Sequence, residues 1–84
     1  MGCAANLANE SAGEYLDDAV ITSKVKAAIF DQPSLKSSEV SVVTYKGTVQ
    51  LGGFVATQEK IDKAGEVAGG VNGVKSVKND MKLI

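Results

Sequence analysis

Few residues in this chain could do covalent or metal chemistry. The sequence has one cysteine, Cys3, and no histidine, and its nine basic residues are all lysines. Without histidine and with a single thiol, a zinc ligand set cannot be assembled. Serine or cysteine nucleophiles likewise lack an imidazole to activate them, and no acidic loop has EF-hand spacing. The sequence therefore predicts a protein that is not an enzyme, with no metal and no cofactor.

The charges are distributed unevenly along the chain. Residues 1–18 carry four acidic residues and no lysine, a net charge of −4. Residues 19–84 carry nine lysines and six acidic residues, a net charge of +3. This balance is compatible with contact with an anionic surface, and equally with ordinary solvated charge. No uncharged run approaches the roughly 18 residues that span a bilayer.

The secondary-structure elements that position the candidate residues are predicted to follow a polar N-terminal segment. Residues 1–16 are predicted to be a flexible leader, because most of them are small and polar with no sustained period, and residues 17–84 to be the folded domain. A helix is predicted to begin at Asp17 or Asp18, since acidic residues favour the positive end of the helix dipole. Pro33 requires the helix to end before it. The predicted apolar face consists of Ile21, Val25, Ala28 and Ile29.

Two runs with a period of two follow, over residues 40–45 and 48–55. They are joined at Lys46-Gly47, which predicts a β-hairpin with a two-residue turn. Pairing Tyr45 with Thr48 places all the purely aliphatic positions except Val43 on one face, which supports that register.

A second helix and a last strand complete the domain. Thr57 is a suitable N-cap, Gly69-Gly70 ends the helix, and a stripe of small residues lets it lie close to the sheet, where Gly53 would make room. Residues 74–83 read as a strand parallel to the second strand, because such crossovers are right-handed. The predicted fold class is α+β, in the order α-β-β-α-β. A mixed three-stranded sheet has its second strand central, both helices on one face and the other face open.

The open face is the first candidate site. Val43, Tyr45 and Phe54 point away from the helices, and Lys78 and Lys82 share that side on the third strand. Apolar groups flanked by lysines fit an anionic membrane or a partner protein. The alternatives are that isolated exposed apolar residues are normal, or that the leader covers them.

A nucleic-acid site is not expected. Gly70-Val-Asn-Gly73 has the GxxG spacing of KH domains, but here it joins a helix to a strand, and the chain has no arginine. A turn is the better explanation for these glycines.

The ordered set of landmarks resembles the BON domain family, modules of the bacterial envelope. The landmarks are Asp17-Asp18, Ile21, Val25, Leu35, Val40-x-Val42, Gly47-x-Val49-x-Leu51-x-Gly53-x-Val55, Ala64, Ala68, Val71, Gly73-Val74, Val77 and Asn79. Gly69-Gly70 departs from the pattern, because the family usually continues the helix with larger residues there. The resemblance implies a non-catalytic periplasmic protein associated with phospholipid surfaces, osmotic stress and outer-membrane integrity. It also implies that helical surfaces contact lipid, which makes Lys24 and Lys26 the alternative contact.

The resemblance gives Cys3 a meaning. Bacterial lipoproteins are cut before a cysteine that follows a small residue, and that cysteine receives the lipid. Met1-Gly-Cys3 looks like such a site, with Gly2 as the last residue of the signal peptide and Met1 as a replacement start residue. The acidic leader would then be a tether between the membrane and the domain. Dual acylation of Gly2 and Cys3 fits poorly, because Asn6 stands where Ser or Thr is preferred, and the remaining alternative is a cysteine without a role.

Together these features predict a lipid-anchored envelope module that binds an anionic phospholipid membrane. The alternative is an adaptor that docks an envelope protein on its open face or on an exposed edge strand.

Overall fold

The structure is a computed structural model that describes residues 12–35 and 39–84. Helix α1 spans Ala12–Phe30 and is followed by a 3₁₀ turn over Pro33–Leu35. Strands β1 (Glu39–Tyr45) and β2 (Thr48–Val55) form a hairpin, and helix α2 spans Gln58–Gly69. Two short strands, β3 (Ser76–Asn79) and β4 (Lys82–Leu83), end the chain. The predicted fold class and element order are confirmed.

Helix α1 buries one apolar face and ends where the sequence predicts. Ile21, Val25 and Ile29 are buried, at the spacing of one helical stripe. The helix stops at Phe30, and the 3₁₀ turn that begins at Pro33 buries Leu35 completely.

The predicted start of this helix at Asp17 or Asp18 is wrong, because α1 begins at Ala12. Asp18 is buried within the helix, where its carboxylate accepts hydrogen bonds from the hairpin turn instead of capping a helix end. Residues 12–16, predicted as part of the flexible leader, belong to α1. Residues 1–11 lie outside the described residues, so a flexible leader there and lipid on Cys3 stay predictions.

The hairpin has the predicted register. Tyr45 pairs with Thr48, Val42 with Leu51, and Val40 with Gly53. Both turn residues have positive φ, 50° at Lys46 and 84° at Gly47, which is the backbone of a type I′ turn.

Helix α2 has the predicted ends. The Thr57 side chain accepts a hydrogen bond from the Lys60 amide at 3.3 Å, and the helix ends at Gly69. Its buried stripe is Ile61, Ala64 and Ala68, and these residues pack against the sheet in one core with Val49, Leu51 and Met81.

The last strand differs from the prediction because it is in two parts. Both parts run parallel to β2, which is the central strand. Between them the Met81 amide donates to the Asn79 side-chain oxygen at 3.2 Å. The Asp80 and Ile84 amides, on either side of this interruption, donate to the Leu51 and Val55 carbonyl oxygens of β2.

Gly53 is required for a different reason from the one predicted. Its φ is +132°, a region in which L side chains are strained. A Cβ there would overlap the carbonyl oxygen of Glu39 on β1 rather than reach α2. The close approach at Gly53 is therefore between two strands.

Candidate functional site

The open face is the side of the sheet away from both helices. We define it by the outward positions Glu39, Ser41, Val43, Tyr45, Thr48, Gln50, Gly52, Phe54, Ser76, Lys78, Asp80 and Lys82. The hairpin register and the parallel register assign these positions to one side, because side chains alternate along each strand.

The predicted apolar residues are exposed, but they form two groups. The exposed fraction is 60% for Val43, 44% for Tyr45 and 63% for Phe54. Val43 and Tyr45 lie side by side on β1, near the turn. Phe54 is paired with Glu39 at the other end of the hairpin, and the Ser41–Gly52 pair separates it from Val43. The structure therefore does not bring Phe54 into contact range of the other two.

A shallow groove runs along the turn end of the open face. Its lining residues are Val43, Tyr45, Lys46, Thr48, Gln50 and Lys78. Lys78 is paired with Gln50 across the parallel ladder, and Gln50 lies between it and Val43 on β1. Lys82 is paired with Phe54 and belongs to the second group.

Lys46 is a site residue that sequence reasoning missed. Its ammonium lies 5.7 Å from the centroid of the Tyr45 ring, within the range of a cation–π interaction. In the sequence, the role of Lys46 is indicated only by its position next to Tyr45 at a two-residue turn. The groove thus carries two cations, Lys46 and Lys78.

Two carboxylates share the open face with the lysines. Gln50 Nε2 donates to Asp80 Oδ2 at 3.0 Å, and Glu39 stands beside Phe54. The alternation that assigns Lys78 and Lys82 to this side assigns Asp80 to it as well. The face is therefore of mixed charge, with Lys78 near the turn, where Lys46 adjoins it, and Lys82 at the other end.

The turn itself is held by a buried acid. Asp18 is 5% exposed, and its carboxylate accepts from the Lys46 amide at 2.6 Å and from the Gly47 amide at 2.9 Å. Both hydrogen bonds are charge-assisted. They fix the backbone from which the Lys46 side chain projects.

The alternative pair, Lys24 and Lys26, is divided by the geometry of α1. Both residues are exposed, but positions two apart on a helix are separated by about 200° around the axis. Lys24 lines a cavity together with Lys46 and Lys75, whereas Lys26 does not. These two lysines therefore leave the helix axis in different directions.

No metal site and no membrane span emerge from residues 12–35 and 39–84. Across these ranges, no three acidic or cysteine side chains are grouped so that they could hold a metal ion. The helices of the same ranges are too short or too polar to cross a bilayer.

The fold and the surface define a small α+β module that presents one face of a mixed sheet. Residues 17–84 match the family model for the BON domain, so the chain belongs to the BON domain family, as its sequence landmarks predict. A similar protein is the Osmotically-inducible protein Y of Escherichia coli (strain K12), 44% identical over 71 residues. The aligned part is 84% of this chain and 35% of that protein. The chain thus spans about a third of the length of this relative.

Proposed function

We propose that this protein is a non-catalytic module of the bacterial periplasm that contacts anionic phospholipid surfaces through its open face. The relation to an osmotically inducible protein supports a role in envelope integrity under osmotic stress. A lipid on Cys3 would hold the domain at the membrane.

One observation carries the membrane contact. At the turn end of the open face, Val43 and Tyr45 are exposed beside Lys46 and Lys78 in one groove. Apolar side chains flanked by lysines favour a boundary between apolar and anionic surroundings. The second group, Phe54 with Lys82, repeats this pairing at the other end of the hairpin.

The two proposed signals complement each other. A lysine near an anionic bilayer contributes about 1 kcal/mol, and a single acyl chain is a marginal anchor. A lipid on Cys3 together with the open face would supply the two signals that stable attachment requires.

Co-sedimentation with vesicles tests the open face. The protein with Cys3→Ser, which carries no lipid, is mixed with phosphatidylglycerol or phosphatidylcholine vesicles at low and high salt. We expect binding to the anionic vesicles only, with a loss at high salt. Lys78→Glu with Lys82→Glu should lower the partition coefficient by at least about thirtyfold, since two cationic contributions are lost and two anionic charges are added.

Lys24→Glu with Lys26→Glu is the matched variant, because it makes the same change of charge on α1. Loss of binding in this variant alone would move the contact to the helix. Equal loss in both variants would mean that net charge, and not the open face, governs binding.

The anchor has its own test. In a bacterium grown with labelled palmitate, we expect label on the protein expressed from its natural gene and none on Cys3→Ser. An unlabelled natural protein would contradict the lipoprotein proposal and leave the open face to be judged by vesicle binding.

A second candidate function is a protein adaptor. Among the described residues, β1 pairs on one side only, with β2. Its seven residues include neither proline nor lysine, the residues that commonly protect an edge strand from pairing with another chain. Strand addition to β1 is the function that an absence of vesicle binding would favour.

A further inference from the structure

A cavity lies at the junction of α1, the hairpin turn and the loop between α2 and β3. Its volume is about 270 Å³, slightly below the roughly 300–1,000 Å³ typical of drug-sized ligand pockets. Each of the three segments contributes one lysine to its lining: Lys24, Lys46 and Lys75. Asp17, Asp18, Val20, Ile21, Gly47, Asn72 and Gly73 complete the lining.

Two of the three lysines are held in place by the backbone. The Lys75 amide donates to the Gly47 carbonyl oxygen at 2.8 Å, and the aliphatic part of Lys75 lies over Gly47. A Cβ at position 47 would come within 2.8 Å of the Lys75 Cδ. The Lys46 amide is bound to Asp18. The backbone of Lys46 and Lys75 and the aliphatic part of the Lys75 side chain are therefore held in place before any ligand binds.

The charges of the lining favour a small anion. Three lysines and two aspartates line the cavity, and the Asp18 carboxylate already accepts hydrogen bonds from two turn amides. Those amide dipoles offset part of its charge, so the remaining field of the lining is positive. Lysine binds phosphate as a compact point charge with three donors.

We propose that this cavity binds a phosphate group, either as a free or soluble phosphate ester or as the headgroup phosphate of a lipid. The three lysines contact its oxygens, and the small volume restricts the ligand to a phosphate with a short substituent. This site shares Lys46 with the groove of the open face, but Lys24 and Lys75 lie outside that groove, and the proposal does not depend on the membrane contact proposed above.

Nuclear magnetic resonance on the full chain tests the site. ¹⁵N-labelled protein is titrated with inorganic phosphate and with glycerol phosphate, against sodium chloride at matched ionic strength. We expect saturable shifts at the amides of Gly47, Asn72 and Gly73, and none at Gly52 on the open face. Lys24→Gln with Lys75→Met, which keeps much of the Lys75 stem, should weaken binding about tenfold, as expected for two lost contacts of the strength of surface ion pairs.

The control variant is Lys26→Gln with Lys63→Gln, which loses the same charge outside the cavity and the open face and should bind phosphate as the unchanged protein does. If the cavity variant is poorly folded, Lys24→Gln alone serves, because Lys24 is exposed. Equal weakening in both variants, or shifts spread over lysines throughout the chain, would overturn the proposal.

Vesicles distinguish the source of the phosphate. If phosphatidylglycerol vesicles displace glycerol phosphate from the cavity, the ligand is a lipid headgroup. If phosphate binds and vesicles do not displace it, the site is for a soluble phosphate. Vesicle binding without any phosphate shift in the cavity would contradict this proposal and leave the membrane function intact.

Discussion

At the scale of single residues, a buried carboxylate positions much of the candidate surface. Asp18 connects α1 to a turn 28 and 29 residues further along the chain. Through the turn it sets the place of Lys46, which borders both the groove of the open face and the lysine-lined cavity. Its effect on the surface is therefore indirect.

Asp18→Asn is expected to destabilise the fold by about 1–3 kcal/mol, because an amide leaves one turn N–H facing another donor. Chemical denaturation measures the loss, and hydrogen exchange at Lys46 and Gly47 should become faster. Asp17→Asn is the control. Asp17 is exposed, so its replacement should change stability by less than about 0.5 kcal/mol. Equal effects of the two substitutions would contradict the structural role of Asp18.

Gly53→Val is expected to cost about 3 kcal/mol, since a branched side chain meets both backbone strain and the Glu39 carbonyl. Gly52→Val is the control, because Gly52 is next to Gly53 on β2 and faces the opposite side of the sheet. There a Cβ would lie 2.9 Å from Ser41 Oγ, which can move by a rotamer change, and valine suits a strand. We expect a loss below about 1 kcal/mol. Denaturation curves that show equal losses would invalidate the register of β1 against β2.

At the scale of elements, one side chain joins the last strand to α2. Asn79 Nδ2 donates to the Ile61 carbonyl oxygen at 2.8 Å, and its oxygen accepts from the Met81 amide. The space for this amide group exists because residue 65 is glycine. A Cβ there would lie 2.8 Å from Asn79 Nδ2.

A double-mutant cycle on Gly65 and Asn79 tests this contact. Gly65→Ala gains about 1 kcal/mol of helix propensity, but it displaces a side chain that makes two hydrogen bonds. We expect it to be neutral or destabilising alone, and stabilising in an Asn79→Ala background. The coupling energy should be at least about 1 kcal/mol. Gly69→Ala is the control, because a Cβ there meets only Val77, at 3.9 Å. If the stability effects of Gly65→Ala and Asn79→Ala are additive, the close contact between these two residues is contradicted.

The elements were predictable because their signals are local. The hairpin register follows from the alternation of β1 and β2 and from a two-residue turn, and the ends of α2 follow from Thr57 and Gly69-Gly70. The helix start at Ala12 and the interruption of the last strand were not predictable. In both cases a polar side chain has a specific partner, Asp18 with the turn and Asn79 with Met81, and composition does not reveal which partner a polar group takes.

The candidate site was predictable only in part. The period of two correctly assigned Val43, Tyr45 and Phe54 to the exposed side. The predicted register also implied that the Ser41–Gly52 pair separates Phe54 from the other two, as the structure shows. The convergence of Lys24, Lys46 and Lys75 joins three segments that are distant in sequence, and only the tertiary structure brings them together.

At the scale of the whole molecule, the buried side chains among residues 17–35 and 39–84 begin at Asp18 and end at Met81. The stability of the domain should therefore not depend on the first part of the chain. Removal of residues 1–11 is expected to change the free energy of unfolding by less than about 0.5 kcal/mol. Thermal unfolding followed by circular dichroism measures this. A broad or missing transition in the shortened protein would mean that the segment contributes to the core.

The two ladders of β2 also imply an order of folding. Hairpin partners are between 3 residues apart, at Tyr45 and Thr48, and 15 residues apart, at Glu39 and Phe54. Every parallel pair, from Thr48–Ser76 to Val55–Leu83, is 28 residues apart. Each doubling of a closed loop costs about 0.6 kcal/mol of chain entropy, so the hairpin should form first and the last strand should dock late. Pulse labelling during refolding should then protect the β1–β2 amides before those of β3 and β4, and in the native protein the C-terminal strand should be the first part of the sheet to open.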